Sequence, residues 1–406
     1  MESSQGAGSR GQRGLLLRDT FTFLILCSVT ATMFGLTLLL FRSFERHREE
    51  LGQRWAERGA EALQQGRAGE SVAALRTALS YSPNDWDDQL ELAKALAQAG
   101  RTEEATNYFL TLWDARPGDG LVNLELARLA LKRGNAQEAT NYYRASIYGN
   151  WNGDGTARRR EVRLELADFL ASRGDVGGAR TEVLIAAGNA PARENLEVVF
   201  GDRLQALGDP GAALKQYRAA LDLDPHNPVL LEKAGRTAYA MRDYGVAYKL
   251  LTAALGESRR SREDDARAKL RELAENARRA PELNLSRDLP ATERAEHLMH
   301  AVEIAERRMA RCSAMLGARA GAAGAGVGGE TGAVVVPVEL QPVQARWTAV
   351  KPELKRRTLE RDAALSDSVA ALVSDTETTA ARVCGAPSGE DALLLTVAGT
   401  TPGEAP

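Results

Sequence analysis

The sequence predicts an all-α protein: a right-handed solenoid of helical hairpins, with a transmembrane helix before it and a helical extension after it. Three observations predict this. Pro83 and Pro117 lie 34 residues apart, as do Gly66, Gly100 and Gly134, and the interval returns between Gly174 and Gly208 and between Pro191 and Pro225. A beat of that length, with Gly inside the unit and Pro at its exit, marks stacked helix pairs. A run of 22 uncharged residues lies between Asp19 and Arg42. As a helix it is about 33 Å long, enough for a bilayer core of roughly 30 Å. Finally, Ala and Leu dominate while aromatics make up only 5%, a composition suited to close-packed helices.

In chain order, residues 1–19 read as an N-terminal tail and 20–41 as the transmembrane helix. A buried core helix and a cleaved signal peptide are the competing readings. A signal peptide has a shorter apolar region and small residues at the cut, whereas this run ends in Leu38, Leu39, Leu40, Phe41 and Arg42. Cys27 follows the bulky Leu26, which does not fit lipoprotein cleavage, so it reads as an ordinary membrane-helix residue. Orientation is contested. Arg10, Arg13 and Arg18 precede the span, and Arg42, Arg46, Arg48, Arg54 and Arg58 follow it. A raw positive-inside count puts the large C-terminal part in the cytoplasm; the cysteines described below favour the outside.

Residues 52–261 divide into six units. The first begins at Gly52, with Gly59 on its first helix, Gly66 in the turn, Ser71, Leu75 and Ala78 on the second helix and Pro83 at the exit. The second begins at Trp86, with Ala93, Gly100, Ala105, Phe109 and Pro117. The third runs from Gly120 with Ala127, Gly134, Ala139 and Tyr143. The fourth starts at Arg160 with Ala167, Gly174 and Ala179, the fifth at Glu194 with Gly201, Gly208 and Tyr217, and the sixth at Pro228 with Gly235, Ala247 and Leu251. The small residue on each first helix lets its partner approach, and Pro ends the second helix because it lacks an N–H.

This pattern resembles the tetratricopeptide repeat family across about 210 residues. Together with the anchor and the Cys-bearing C-terminal helices, it also resembles membrane-bound repeat proteins of acidobacteria. An Arg to Lys ratio of 44 to 8 reads as GC-rich bacterial coding. In the family pattern the concave face is lined by the second, fifth, ninth and twelfth positions of each first helix. The resemblance therefore implies a partner-binding groove at Leu90, Lys94, Leu124, Arg128, Asp168, Asp202, Arg236 and Tyr239. Lys132 stands beside Lys94 and Arg128 in a basic stretch, and Asp168 and Asp202 follow as an acidic one. The carboxylate clamp of some family members is not supported, because Ala56, Ala60, Glu91, Leu121 and Glu125 stand at its positions.

The beat slips once. Gly134 and Gly174 are 40 residues apart, and the six extra residues sit around Trp151-Asn152-Gly153-Asp154-Gly155. The segment lacks the ligand set of a calcium loop and reads as a solvated turn, with Trp151 and Arg158 to Arg160 as an exposed contact.

Beyond the repeats, Arg262 to Arg279 reads as an amphipathic capping helix and Pro290 to Leu316 as a long helix. Residues 317–346 read as a Gly/Ala-rich linker holding an extended Val334-Val335-Val336-Pro337-Val338 piece. Pro352 to Val383 reads as one helix, and Gly385 to Pro406 as mostly loop. Cys312 and Cys384, each closing a helix, are either a disulfide pair or two free thiols. Pairing needs an oxidising compartment.

The net charge of −3 shows no basic footprint for nucleic acid. His297 and His300, with Glu293, Glu296 and Glu303 nearby, share a helix but have no second ligand helix, so no metal site is assigned. No catalytic or cofactor motif occurs in a fitting context. Three functional readings follow: a membrane-anchored scaffold for another protein or peptide segment, an envelope-assembly or enzyme-accessory factor active through its C-terminal region, and a self-associating array.

Overall fold

The computed structural model describes residues 8–257, 264–323 and 338–398, with side chains over 21–257, 265–318 and 338–397. The chain divides into two compact units, Met1–Asn189 and Ala190–Pro406. The first holds α1 (Gly8–Gln64), α2 (Ala68–Tyr81), α3 (Trp86–Gln98), α4 (Thr102–Ala115), α5 (Gly120–Lys132), α6 (Ala136–Tyr148), α7 (Gly155–Ser172) and α8 (Val176–Gly188). They pair in sequence as hairpins, the C-terminal part of α1 serving as the first helix of the first pair.

The second unit holds two further hairpins, α9 (Glu194–Ala206) with α10 (Pro210–Leu223) and α11 (Pro228–Ala240) with α12 (Tyr244–Glu257). The amphipathic α13 (Asp264–Arg279) packs on α12, burying Leu270, Ala274 and Ala277. After a 3-10 turn come α14 (Ala291–Ala323), α15 (Gln341–Val350), α16 (Arg356–Arg361), α17 (Ala363–Cys384) and α18 (Glu390–Ala398). These form a separate core around Leu298, Trp347, Val369 and Leu394. The described residues contain no strand, only an isolated bridge between Asp119 and Asn150.

The hairpins close for a local reason. Gly66, Gly100, Gly134, Gly174 and Gly208 all sit at φ between 71° and 82°. That left-handed conformation lets the residue after the glycine reach back to the preceding helix, as Arg67 N–H does to Ala62 O at 2.8 Å. Asp209 caps the helix after its turn glycine, and Asp85 and Asp119 cap the helices that open the next hairpins, each by accepting a backbone N–H. The hairpins pack by size complementarity. Gly59, Ala93, Ala127, Ala167, Gly201 and Gly235 each precede by sixteen residues a larger buried side chain: Leu75, Phe109, Tyr143, Val183, Tyr217 and Leu251. A Cβ on Gly201 would lie 2.5 Å from the Tyr217 ring.

Several boundaries differ from the sequence expectation. No break separates tail, apolar run and first repeat: α1 continues through all three. The residues of its apolar run, Phe23, Leu26 and Leu39 among them, are exposed, so that run is not buried in the core of its unit. α1 is the one helix among the described residues long and apolar enough to cross a membrane. Thr30, Thr32 and Thr37 donate to carbonyls one turn back, which hides their polarity. Arg48 ties the helix to the repeats by donating from Nε and Nη2 to Tyr81 O at 3.0 and 2.7 Å.

The expected linker is partly helical. α14 runs to Ala323 and so passes Cys312 without ending there, while residues 338–346 are already in a 3-10 turn and α15. Residues 324–337, with most of the Val-rich piece, lie outside the described residues. The single helix expected from Pro352 is broken at Asp362, which caps α17. The expected loop after Gly385 contains α18, because Leu393 and Leu394 are buried in the C-terminal core. Cys312 and Cys384 are joined as a disulfide, Cα atoms 5.6 Å apart, beside Leu340 and Ala380.

Candidate functional site

In the first unit, the first helices of three successive hairpins, α3, α5 and α7, line a cavity of about 360 Å³. Leu90, Leu124 and Val162 form its apolar floor, and Trp86 and Trp151 contribute indoles. Helical periodicity explains the floor. Leu90 and Leu124 occupy the same place in consecutive 34-residue units, so one face repeats.

Trp151 comes from the six-residue insertion and is not the exposed residue expected. Its ring lies over Gly120, where any Cβ would collide with it. Its Nε1–H donates to Ser146 O at 3.0 Å, and Ser146 Oγ donates to Gly120 O at 2.7 Å. Gly120 N–H bonds Asn150 O, and Asn150 N–H bonds Gly118 O, at 2.8 and 2.7 Å. The insertion is thus stitched to the start of α5. Asp154 caps α7, which begins at Gly155, ahead of the expected Arg160. Arg159 donates to Gly149 O at 3.1 Å and does not present itself for contact.

Lys94 and Arg128 line the cavity with Leu90 and Leu124, but their charges are committed. Lys94 bonds Glu91 at 2.8 Å. Arg128 reaches Glu125 at 2.8 Å and grips both oxygens of Glu165, at 2.9 and 2.7 Å. Tyr143 OH donates to the same Glu165 at 2.7 Å. Burial pushes the Glu165 carboxyl up, but the bonds from Arg128 and Tyr143 outweigh it and hold it below the usual range. Burial, then the Glu165 bond, pushes the Tyr143 hydroxyl up. The expected basic stretch is therefore a neutralised lattice. Lys132 is exposed, does not line the cavity, and points toward Ala97 O at 3.4 Å.

The remaining groove residues fall elsewhere. Asp168 is exposed on α7. In the second unit Asp202 accepts from Tyr217 OH at 2.7 Å and pairs with Lys233 at 2.6 Å. That link copies the Arg128–Glu165 link with the signs exchanged: in each, the ninth position of one first helix meets the sixth position of the next. Arg236 pairs with Glu232 at 2.8 Å. Tyr239 stacks edge-on against Tyr244, centroids 5.4 Å apart. Sequence reasoning missed Glu165, Val162, Trp86 and Trp151 as lining residues. Glu91, Glu125 and Glu165 do recur at one repeat position, a signal that was available. His297 bonds Asn284 O at 2.9 Å, and no cluster of potential metal ligands occurs among the described residues.

A model of the Tetratricopeptide repeat family matches residues 62–122. No curated protein matches the sequence significantly. Several solved structures resemble parts of this chain at low identity. The C-terminal part of a TPR repeat-containing protein from Cytophaga hutchinsonii is 11% identical, over 60% of this chain and 92% of that one, with a TM-score of 0.41. PilW, described as a widely conserved type IV pilus biogenesis factor, is 14% identical over 53% and 97%, with a TM-score of 0.37. YrrB, described as a TPR protein with an unusual peptide-binding site, is 16% identical over 51% and 99%, with a TM-score of 0.36.

Proposed function

We propose that this chain, whose residues 62–122 match the tetratricopeptide repeat family, is a membrane-anchored scaffold that holds a segment of another protein in the groove of its first unit. The observation that carries the reading is the cavity across α3, α5 and α7. Leu90, Leu124 and Val162 are apolar, two indoles flank them, and the charges among them are mostly paired with one another. A groove of that kind buries apolar side chains of an extended or helical guest without having to strip water from lone charges.

Residues 20–41 of α1 are the membrane anchor in this reading. Their exposed apolar side chains and internally bonded threonine hydroxyls suit lipid. The anchor lies in a bacterial cytoplasmic membrane, with the repeats and the disulfide outside the cytoplasm.

The test uses the full chain in its own membrane. A photo-crosslinking residue at Leu121, which lines the cavity, captures a protein partner, and the Leu124→Arg substitution in the same chain abolishes that adduct. The same crosslinker at Thr111, exposed on the second helix of its hairpin, captures nothing in common with it. Identical adducts from both positions, or none from Leu121, would refute the groove.

A further inference from the structure

We infer that the guest of the α3–α5–α7 groove carries an arginine or lysine side chain, which meets Asp87 and the Trp151 indole. The inference rests on the groove reading above and goes further by naming the chemistry of the guest.

The charges around the cavity are unequal in availability. Its three lining cations are occupied: Lys94 by Glu91 at 2.8 Å, Arg128 by Glu165 at 2.7 Å and Arg158 by Glu161 at 3.1 Å. Among the lining acids, Glu161 and Glu165 are spent on those pairs, and Asp119 accepts the N–H of Val122 as a cap. Asp87 is exposed and makes no ion pair among the described residues. It also stands in an acidic neighbourhood, with Asp85, Asp88 and Glu91 within four residues on the same helix start. The Asp88 carboxyl is pushed up to about 6, by burial first and then by Asp85, Asp87 and Glu91. Burial leads that shift, and the negative charge of the three neighbouring acids adds to it. An anionic guest would therefore meet repulsion, and a neutral one would leave Asp87 unmatched.

The aromatic lining points the same way. One face of Trp86 is taken by the chain's own Arg116, whose Cζ lies 4.2 Å from the ring centroid, so Trp151 is the indole left for a guest. Indole faces attract cations. Trp151 offers a second indole, held in place by its bonds to Ser146 and its seat on Gly120.

The experiment selects peptides from a random twelve-residue phage library on the immobilised full chain in non-ionic detergent. Clones that still bind the Leu124→Trp chain, in which the cavity is filled without added charge, are discarded, which leaves groove-dependent binders. Arginine and lysine are enriched among them, and Asp87→Asn weakens their binding by about fivefold, the upper range for one exposed ion pair. Asp87→Lys weakens it further. Circular dichroism shows all three variants folded. Groove-dependent binders rich in Asp and Glu, or indifferent to Asp87→Asn, would overturn the inference and leave the groove standing. The absence of any groove-dependent binder would remove both.

Discussion

Glu377 on α17 is buried, with neither carboxylate oxygen hydrogen-bonded among the described residues. Its carboxyl is pushed up to about 7, by burial first and then by Asp391, while Arg308 and Arg311 pull the other way. In the unfolded chain a glutamate titrates near 4.3. Between those values the folded state holds the extra proton, so stability falls as pH rises through about 4.3 to 7 and stays reduced above. Glu377→Gln removes the titration. We expect the variant to match the parent near pH 4 and to exceed it at pH 8 by on the order of 2 kcal/mol, measured by urea unfolding at both values. Equal stability of the two chains at pH 8 would refute a buried charge there. Nothing in the sequence singles out this residue among 55 acids, because only the packing of α14, α17 and α18 buries it. Other positions were legible one by one. The turn glycines announce a left-handed φ by their spacing alone, and Arg242, at φ 63°, holds the same place in the sixth hairpin without the glycine. Its side chain carries a cost of roughly 1–2 kcal/mol there.

Among elements, the hairpins were readable because small and large residues recur sixteen positions apart, a local rule that each pair obeys by itself. The insertion before α7 was not. Its Asn-Gly-Asp-Gly composition speaks for a solvated turn, and only the register of α5 places Gly120 beneath Trp151. The same gap explains the charges. Residue spacing put Lys94 and Arg128 on one face, but the next hairpin supplies the Glu165 that neutralises Arg128. The insertion thus depends on one missing methyl group. Gly120→Ala places a Cβ inside the indole, so the ring must leave, breaking its bond to Ser146 O and opening the cavity to water. We expect a red shift in tryptophan emission and a loss of about 1–3 kcal/mol, with helical content by circular dichroism unchanged. Because Trp151 is one of five tryptophans, the shift is read as the difference from the same substitution in a Trp151→Phe background, where it should vanish. A shift that persists in that background would show that the ring does not rest on Gly120.

For the whole molecule, anchor and disulfide constrain each other. The arginines after the span, Arg42, Arg46, Arg48, Arg54 and Arg58, argue by count for a cytoplasmic C-terminal side. That count weighs only short segments near the membrane, and large folded domains cross regardless of it. Arg48 is moreover occupied by Tyr81 O. Cys312 and Cys384 are 72 residues apart, and closing a loop of that size stabilises by roughly 4 kcal/mol in the chain-entropy picture. Such a bond endures only where glutathione and thioredoxin do not reduce it. With the full chain made in a bacterium, membranes are dissolved in denaturant that contains an excess of a small alkylating reagent, which blocks every free thiol. A mass-tagging maleimide should add nothing before reduction and two tags after it, since only the bridged pair was protected from the block. Cys27 is consumed by the block in either orientation, so it does not confuse the count. If no tags are added after reduction, both cysteines were free thiols, and the chain faces the cytoplasm.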